Sequence, residues 1–418
     1  MITLTHTQKT VFEKLIQPVS DLIDSCTHKR KCNTLTDQQW IETGLLKTLS
    51  QEPSGRAFVQ KLFDSGRTYL RRSHLFETLK SSRRLNVCQE IGALLYEKLG
   101  KSREHSDPFQ SYAELSDYDI YAGDGHYHAA ATHDVRKDGN NFYSVDLRTH
   151  GLKHLTLADT SGNRKREHDT RALKRLDVNT LRQGAPKDRK VLYVWDRACI
   201  DFMQWYKWKH ASGIYFISRE KKNMDLLVIA DLPFDKKDKI NKGVDAYEMV
   251  GCSAGVSIFR IKYTCPVSNE HYHFVTNVSH IPPGLVAYLY KIRWDIEKIF
   301  DQVKNKLNEK KAWATSDTAK IMQAQFICLT HNLMLMLEDL LKKECVDNET
   351  ENKRREQRLK NLLAKSKVGK EELPEFLSTP KRPSQRTVKF IRWLLNHLFS
   401  NTSWREALLS SKMVYDCF

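Results

Sequence analysis

Residues 190–220 read KVLYVWDRACIDFMQWYKWKHASGIYFISRE, and the fold class turns on this stretch. Lys190–Trp195 is a short run of β-branched and aromatic residues that reads as a buried strand, and Asp196 ends it. Residues 200–212, IDFMQWYKWKHAS, read as a helix, and residues 213–220 as a second strand. A strand–helix–strand unit of this size belongs to an α/β sheet, which places functional groups at strand ends.

Working outward, three candidate strands precede it, separated by short polar or glycine-containing links: DIYAGDGHYHA (119–129), NFYSVDLRT (141–149) and LKHLTLADT (152–160). A charged helical segment, EHDTRALKRLDVNTLRQG (167–184), follows them. Three strands, a helix, a fourth strand, a helix and a fifth strand is the order of a ribonuclease H-like α/β core. Residues 222–284 then carry three β-type runs, DLLVIADL, GVSIFRIKYT and HYHFVTNV, the first two joined by a basic, glycine-bearing link. They read as a β-rich insertion, ended by the paired prolines of IPPG (281–284).

The flanks are helical. In TLTDQQWIETGLLKTL, Thr36 and Gln39 form a capping box, and amphipathic stretches follow at Arg56–Leu62 and Arg84–Leu99. The basic pairs Arg71–Arg72 and Arg83–Arg84 make this region a candidate DNA-binding module. The expected organisation is a helical N-terminal region (1–112), the first part of the core (113–221), the insertion (222–284), a catalytic helix with a long apolar helix (285–340), and a basic helical C-terminal region (341–418). The long apolar helix spans SDTAKIMQAQFICLTHNLMLMLEDLL.

With 68 basic against 51 acidic residues the chain carries a formal charge of +17, as expected of a partner to a polyanion such as DNA. No apolar run approaches the roughly 20 residues needed to cross a bilayer. The N-terminus also lacks the apolar core of a signal peptide, so a cytoplasmic protein is expected. Nine scattered cysteines without a CxxC pair read as reduced thiols. The cluster Cys26, His28, Cys32 lacks the second ligand pair of a zinc site.

Residues 288–307, YLYKIRWDIEKIFDQVKNKL, read as one amphipathic helix. At 100° per residue, Tyr290, Arg293, Glu297 and Lys304 fall within about 60° of one another, opposite an apolar stripe of Ile292, Ile296, Ile299 and Val303. Asp295 points about 140° away from Tyr290, whereas Asp301 shares the stripe and is the alternative to Glu297. Glu297 and Arg293 taken alone form an ordinary i, i+4 pair. Asp124 on the first strand and Asp196 after the fourth change that reading. Two strand-end aspartates completed by a helical carboxylate make a hard, all-oxygen site for two Mg²⁺ ions.

The helix has the form Y-x-x-R-x-x-x-E-x-x-x-x-x-x-K, with Tyr290, Arg293, Glu297 and Lys304 in the four slots. This resembles the signature of the insertion-sequence-four group of DDE transposases. YAGDGHYH resembles that family's block around the first catalytic aspartate, here Asp124. VWDRACIDFMQWYKWKHASGIYFISRE resembles the block around the second, here Asp196, and includes Asp201 and Arg219. The separations, 72 residues from Asp124 to Asp196 and 101 from Asp196 to Glu297, suit a core with a β insertion before the third acid.

The resemblance, which covers roughly residues 115–340, implies Mg²⁺-dependent cut-and-paste transposition, with Mn²⁺ tolerated. Asp124, Asp196 and Glu297 would be catalytic metal ligands, and Tyr290, Arg293, Lys304 and Arg219 would contact DNA. The implied partners are double-stranded DNA (terminal inverted repeats and target) and a second copy of the chain in a synaptic homodimer. The alternatives are a nuclease on the same core without strand transfer and a catalytically idle DNA-binding descendant. Relatives stack a flipped base on a tryptophan in the insertion. This chain has none between Trp208 and Trp294, which leaves Tyr247, Phe259, Tyr263, Tyr272 and Phe274 as the aromatics there. His126, His128 and His133 suit zinc rather than magnesium and read as packing or DNA-contacting residues.

Overall fold

A computed structural model describes residues 9–416, apart from 33, 51, 53, 68–69, 105–106, 132–138, 159–168, 253–254, 307–310, 344–348, 367–368 and 379–387. The N-terminal helices are α1 (Val11–Ile23), α2 (Asp37–Leu49), α3 (Gly55–Asp64), α4 (Arg72–Leu79) and α5 (Ser82–Arg103). Two begin with complete capping boxes, Thr10 with Glu13 and Thr36 with Gln39, which satisfy backbone N–H groups otherwise left bare at a helix start. The core follows as β1 (Tyr118–His128), β2 (Gly139–Asp146), β3 (Leu152–Leu157), the short helices α6 (Asp169–Lys174) and α7 (Val178–Arg182), β4 (Lys190–Trp195), α8 (Phe202–Ser212) and β5 (Ile214–Arg219). The insertion carries β6 (Leu226–Asp231), β7 (Val244–Cys252), β8 (Ser257–Thr264) and β9 (His271–Thr276). Helices α9 (Pro283–Ile292), α10 (Trp294–Lys306), α11 (Asp317–Lys343), α12 (Glu349–Ser366), α13 (Glu375–Ser378), α14 (Val388–Leu398) and α15 (Trp404–Asp416) complete the chain.

All nine strands form one mixed sheet in the order β3-β2-β1-β4-β5-β9-β8-β7-β6. β1, β2 and β3 are antiparallel neighbours, and β1, β4 and β5 run parallel. This is the ribonuclease H-like α/β arrangement. The insertion extends the same sheet, joining it through antiparallel pairing of β9 with β5. It holds four strands rather than the three expected. β7 occupies the segment read as a link, where Tyr247 and Met249 alternate with Glu248 and Val250.

Side-chain alternation divides the sheet between two cores. On β4, Val191, Tyr193 and Trp195 join a cluster with Trp205 and Trp208 of α8, while Leu192 and Val194 join the opposite cluster. That larger cluster runs from Val11 through α9–α11 to Ala407, so the N-terminal helices, α9–α11 and the C-terminal helices share one apolar interior. α11 is its axis, packed by α1, α2, α5 and β3. Among the described residues no helix is long and apolar enough to cross a membrane.

Two sequence expectations change here. The helix expected across 288–307 is broken at Arg293, between α9 and α10. The break lets α9 lie on β5 and β7–β9 while α10 turns onto β1. Arg83 and Arg84 are tied internally: Arg83 donates to both oxygens of Asp37 at 2.7 and 2.8 Å, and Arg84 to Asp37 at 3.2 Å and to the Leu35 carbonyl at 2.6 Å. Burial works against the charge on Asp37, but Arg83, Arg30 and Arg84 outweigh it and hold the carboxyl below its usual range. Removing that acid leaves buried Arg84 without its counter-ion. Asp37→Ala is therefore expected to cost about 3–5 kcal/mol, measurable as a lower urea midpoint. Arg71 and Arg72 stay exposed.

Candidate active site

The site forms where β4 and β5 end beside β1, which runs on past Asp124 to His128 along β2. Gly123 of β1 is the last residue paired with β4, opposite Trp195, so the next step brings Asp124 beside Asp196. Val194 of β4 pairs with Ile217 of β5, and the same register two steps on brings Asp196 beside Arg219. Alternation fixes their face. Ile120 and Ala122, Leu192 and Val194, and Ile217 all point into the larger core, so Asp124, Asp196 and Arg219 project on the side of α9 and α10. The row is possible because residue 123 is glycine. A Cβ there would lie 1.9 Å from the Trp195 ring, which stacks on Tyr193 at 4.7 Å.

The helices complete the site from above. Arg293 Nη2 donates to Glu297 Oε1 at 2.7 Å, and Arg293 Nη1 lies 3.8 Å from Asp124 Oδ2. One buried guanidinium thus links the first strand's acid to the helical acid. Burial alone would weaken its hold on a proton, but Tyr290, Glu297 and Asp124 reverse the balance and raise its pKa. Tyr290 faces the same centre, with its ring 5.3 Å from the Arg293 guanidinium and 5.1 Å from the Phe274 ring. Burial raises the Tyr290 hydroxyl pKa and Asp196 adds to it, while Arg293 and Arg219 oppose it. Arg219 sits over the Tyr272 ring at 4.9 Å and is paired in register with Phe274.

Six of the seven candidate residues therefore meet at one place: Asp124, Asp196, Arg219, Tyr290, Arg293 and Glu297. Lys304 belongs to α10, but its side chain lies outside the described residues, as does His133. Asp301 is exposed one turn beyond Glu297. Asp295 is buried away from the site, its Oδ2 3.9 Å from Nε2 of His150. His126 packs against Phe300 at 5.1 Å between ring centres. Asp201 has a structural task, capping α8 through Gln204 N–H at 2.9 Å and pairing with Lys174. Of the insertion aromatics, Tyr272 and Phe274 stand beside Arg219, whereas Tyr247 and Phe259 pack on each other. His28 is held by Glu90 at 3.0 Å.

The sequence reading missed Arg293's position between two acids, since it joined Arg293 to Glu297 alone. Among the described residues no three His, Cys, Asp or Glu side chains form a ready metal cage. In the structure the arginine supplies the positive charge between the carboxylates.

Comparison with individually curated proteins returns no match. The family model described as a transposase DDE domain matches residues 117–333, just over half of the 418-residue chain. The matched segment runs from the start of β1 into α11 and contains every strand of the sheet and all of the residues gathered above. With a ribonuclease H-like sheet beneath it, the match makes this chain a member of the DDE transposase family, a DNA-binding polynucleotidyl transferase.

Proposed function

We propose that this chain is a cut-and-paste transposase of the insertion-sequence-four type, which cleaves the ends of its element and joins the freed 3′-hydroxyls to target DNA. One observation carries the reading. Asp124 within β1, Asp196 just after β4, a helical glutamate and two arginines share one face of the sheet where β4 and β5 end. Carboxylates alone would repel DNA, and arginines alone would only bind it. The combination suits in-line displacement at a phosphate.

The donor set fits the divalent ions used by DDE transposases. Asp124, Asp196 and Glu297 offer only hard oxygens, and two of them already gather around a cation, the Arg293 guanidinium. These three residues would hold Mg²⁺, which when bound would polarise the scissile phosphate and its attacking oxygen. Arg219 and Arg293 would grip strand phosphates, Arg293 through its planar fork once it leaves the carboxylates. Tyr290 keeps its proton because burial raises its pKa, so it serves as a hydroxyl donor to a phosphate oxygen. Two ends must be handled together, so the active species is proposed to be a DNA-bound dimer.

End joining tests the reading. A 3′-hydroxyl duplex taken from the DNA bordering the coding region, incubated with the protein, Mg²⁺ and a supercoiled plasmid, should yield plasmid carrying covalently joined ends. Plasmid that is only nicked or degraded would leave a nuclease on the same core instead.

A further inference from the structure

Arg293 occupies an unusual position for a DNA-contacting residue. It is 3% exposed, so it is not reaching into solvent. It makes one short hydrogen bond, to Glu297, and a longer ionic contact with Asp124. Its remaining donors are poorly used. Nε and Nη1 are buried and have no hydrogen-bond partner among the described residues. A guanidinium carries five N–H donors, and leaving them unmet in a buried place is costly. The contact with the two acids therefore balances charge without completing the arginine's hydrogen bonds. Aromatic faces flank it, Tyr290 at 5.3 Å and Trp294 at 5.9 Å, and it stands at the break between α9 and α10.

We propose that Arg293 couples DNA binding to assembly of the divalent-ion site. Without DNA it is the counter-ion of Asp124 and Glu297; a strand phosphate then takes its fork and frees both carboxylates. This rests on the metal-ligand roles given above to Asp124, Asp196 and Glu297. Two cations compete for the same oxygens, so the arginine and a divalent ion oppose each other in the free protein. A phosphate resolves the competition because it can accept two parallel N–H bonds, whereas Asp124 and Glu297 each meet the guanidinium through a single oxygen. By linkage, DNA and the divalent ion then strengthen each other's binding by the same factor. The free protein then holds little metal.

The test measures Mn²⁺ binding to the full chain by the electron paramagnetic resonance signal of the free ion, with and without a short duplex from the DNA bordering the coding region. For the wild type, DNA should tighten Mn²⁺ binding about tenfold or more, the equivalent of a single modest charge interaction. Arg293→Gln should bind Mn²⁺ at the tight value without DNA, and DNA should add nothing. Arg293→Met, of similar length and uncharged, should behave alike and carries the test if the glutamine variant misfolds by circular dichroism. A folded variant that binds Mn²⁺ no more tightly than the free wild type overturns the coupling. Adding Asp196→Asn to Arg293→Gln should abolish the tight binding. Its persistence would overturn the metal-ligand roles themselves, a failure distinct from that of the coupling.

Discussion

Asp196→Asn is expected to reduce strand cleavage by on the order of a thousandfold or more, the scale on which single groups of a reaction centre act, while DNA binding and stability stay near wild type. The reasoning separates chemistry from folding. Asp196 follows β4 in an extended conformation, and its side chain caps nothing in the 3-10 turn that comes next. Asparagine keeps its shape and removes its charge. Asp201, five residues on, is the internal control. Its carboxylate caps α8 and pairs with Lys174; asparagine keeps the cap and loses only the partly exposed pair, so Asp201→Asn should cost less than about 1 kcal/mol of stability and leave cleavage largely intact. Denaturing gels report cleavage, gel shifts report binding, and urea melts report stability. If Asp201→Asn removes cleavage and Asp196→Asn does not, the two acids have been assigned the wrong way round.

The legible parts of this protein are those encoded by local pattern. β4 could be read because an apolar strand ends abruptly in an acid, and the Thr36–Gln39 cap because both partners lie three residues apart. The succession of strands and helices in the core could be read from the alternation of β-type and helical runs. Tertiary choices were harder to see. The break at Arg293 has no proline or glycine to mark it, and it arises because α9 and α10 pack on different strands. β7 was hidden by the lysines and glycine before it, although its own residues alternate. Arg83 and Arg84 looked like a DNA-facing pair because nothing local announces Asp37, 46 and 47 residues away, as their partner. The gathering of Asp124 and Asp196 was inferable only once the first and fourth strands were known to be neighbours. The arginine between two acids needed the three-dimensional structure.

The sharing of one apolar interior leads to the second large effect. Deleting residues 1–112 is expected to leave a chain that does not fold, although those residues lie outside the family match. α11 is buried along most of its length, with Met322, Phe326, Leu329, Leu333 and Leu337 all in the core. The N-terminal helices cover it. Trp40 of α2 meets the Phe326 ring edge-on at 5.6 Å, and a Cβ at Gly44 would lie 2.1 Å from the same ring. Ile91 and Leu95 of α5 belong to the same cluster, and Arg103 at the end of α5 reaches Asp339 of α11 and the Thr149 carbonyl. Each large side chain taken from such a core costs about 1.5–3 kcal/mol, and whole domains are stable by only about 5–15 kcal/mol. Losing several helices at once exceeds that margin. The truncated chain should aggregate or show an unstructured near-ultraviolet dichroism spectrum. Gly44→Val, which drives a branched side chain into Phe326, should lower the urea midpoint of the full chain in the same direction. A soluble, cooperatively melting fragment that still cleaves DNA would show instead that the N-terminal helices are a separable module and that α11 finds its cover elsewhere.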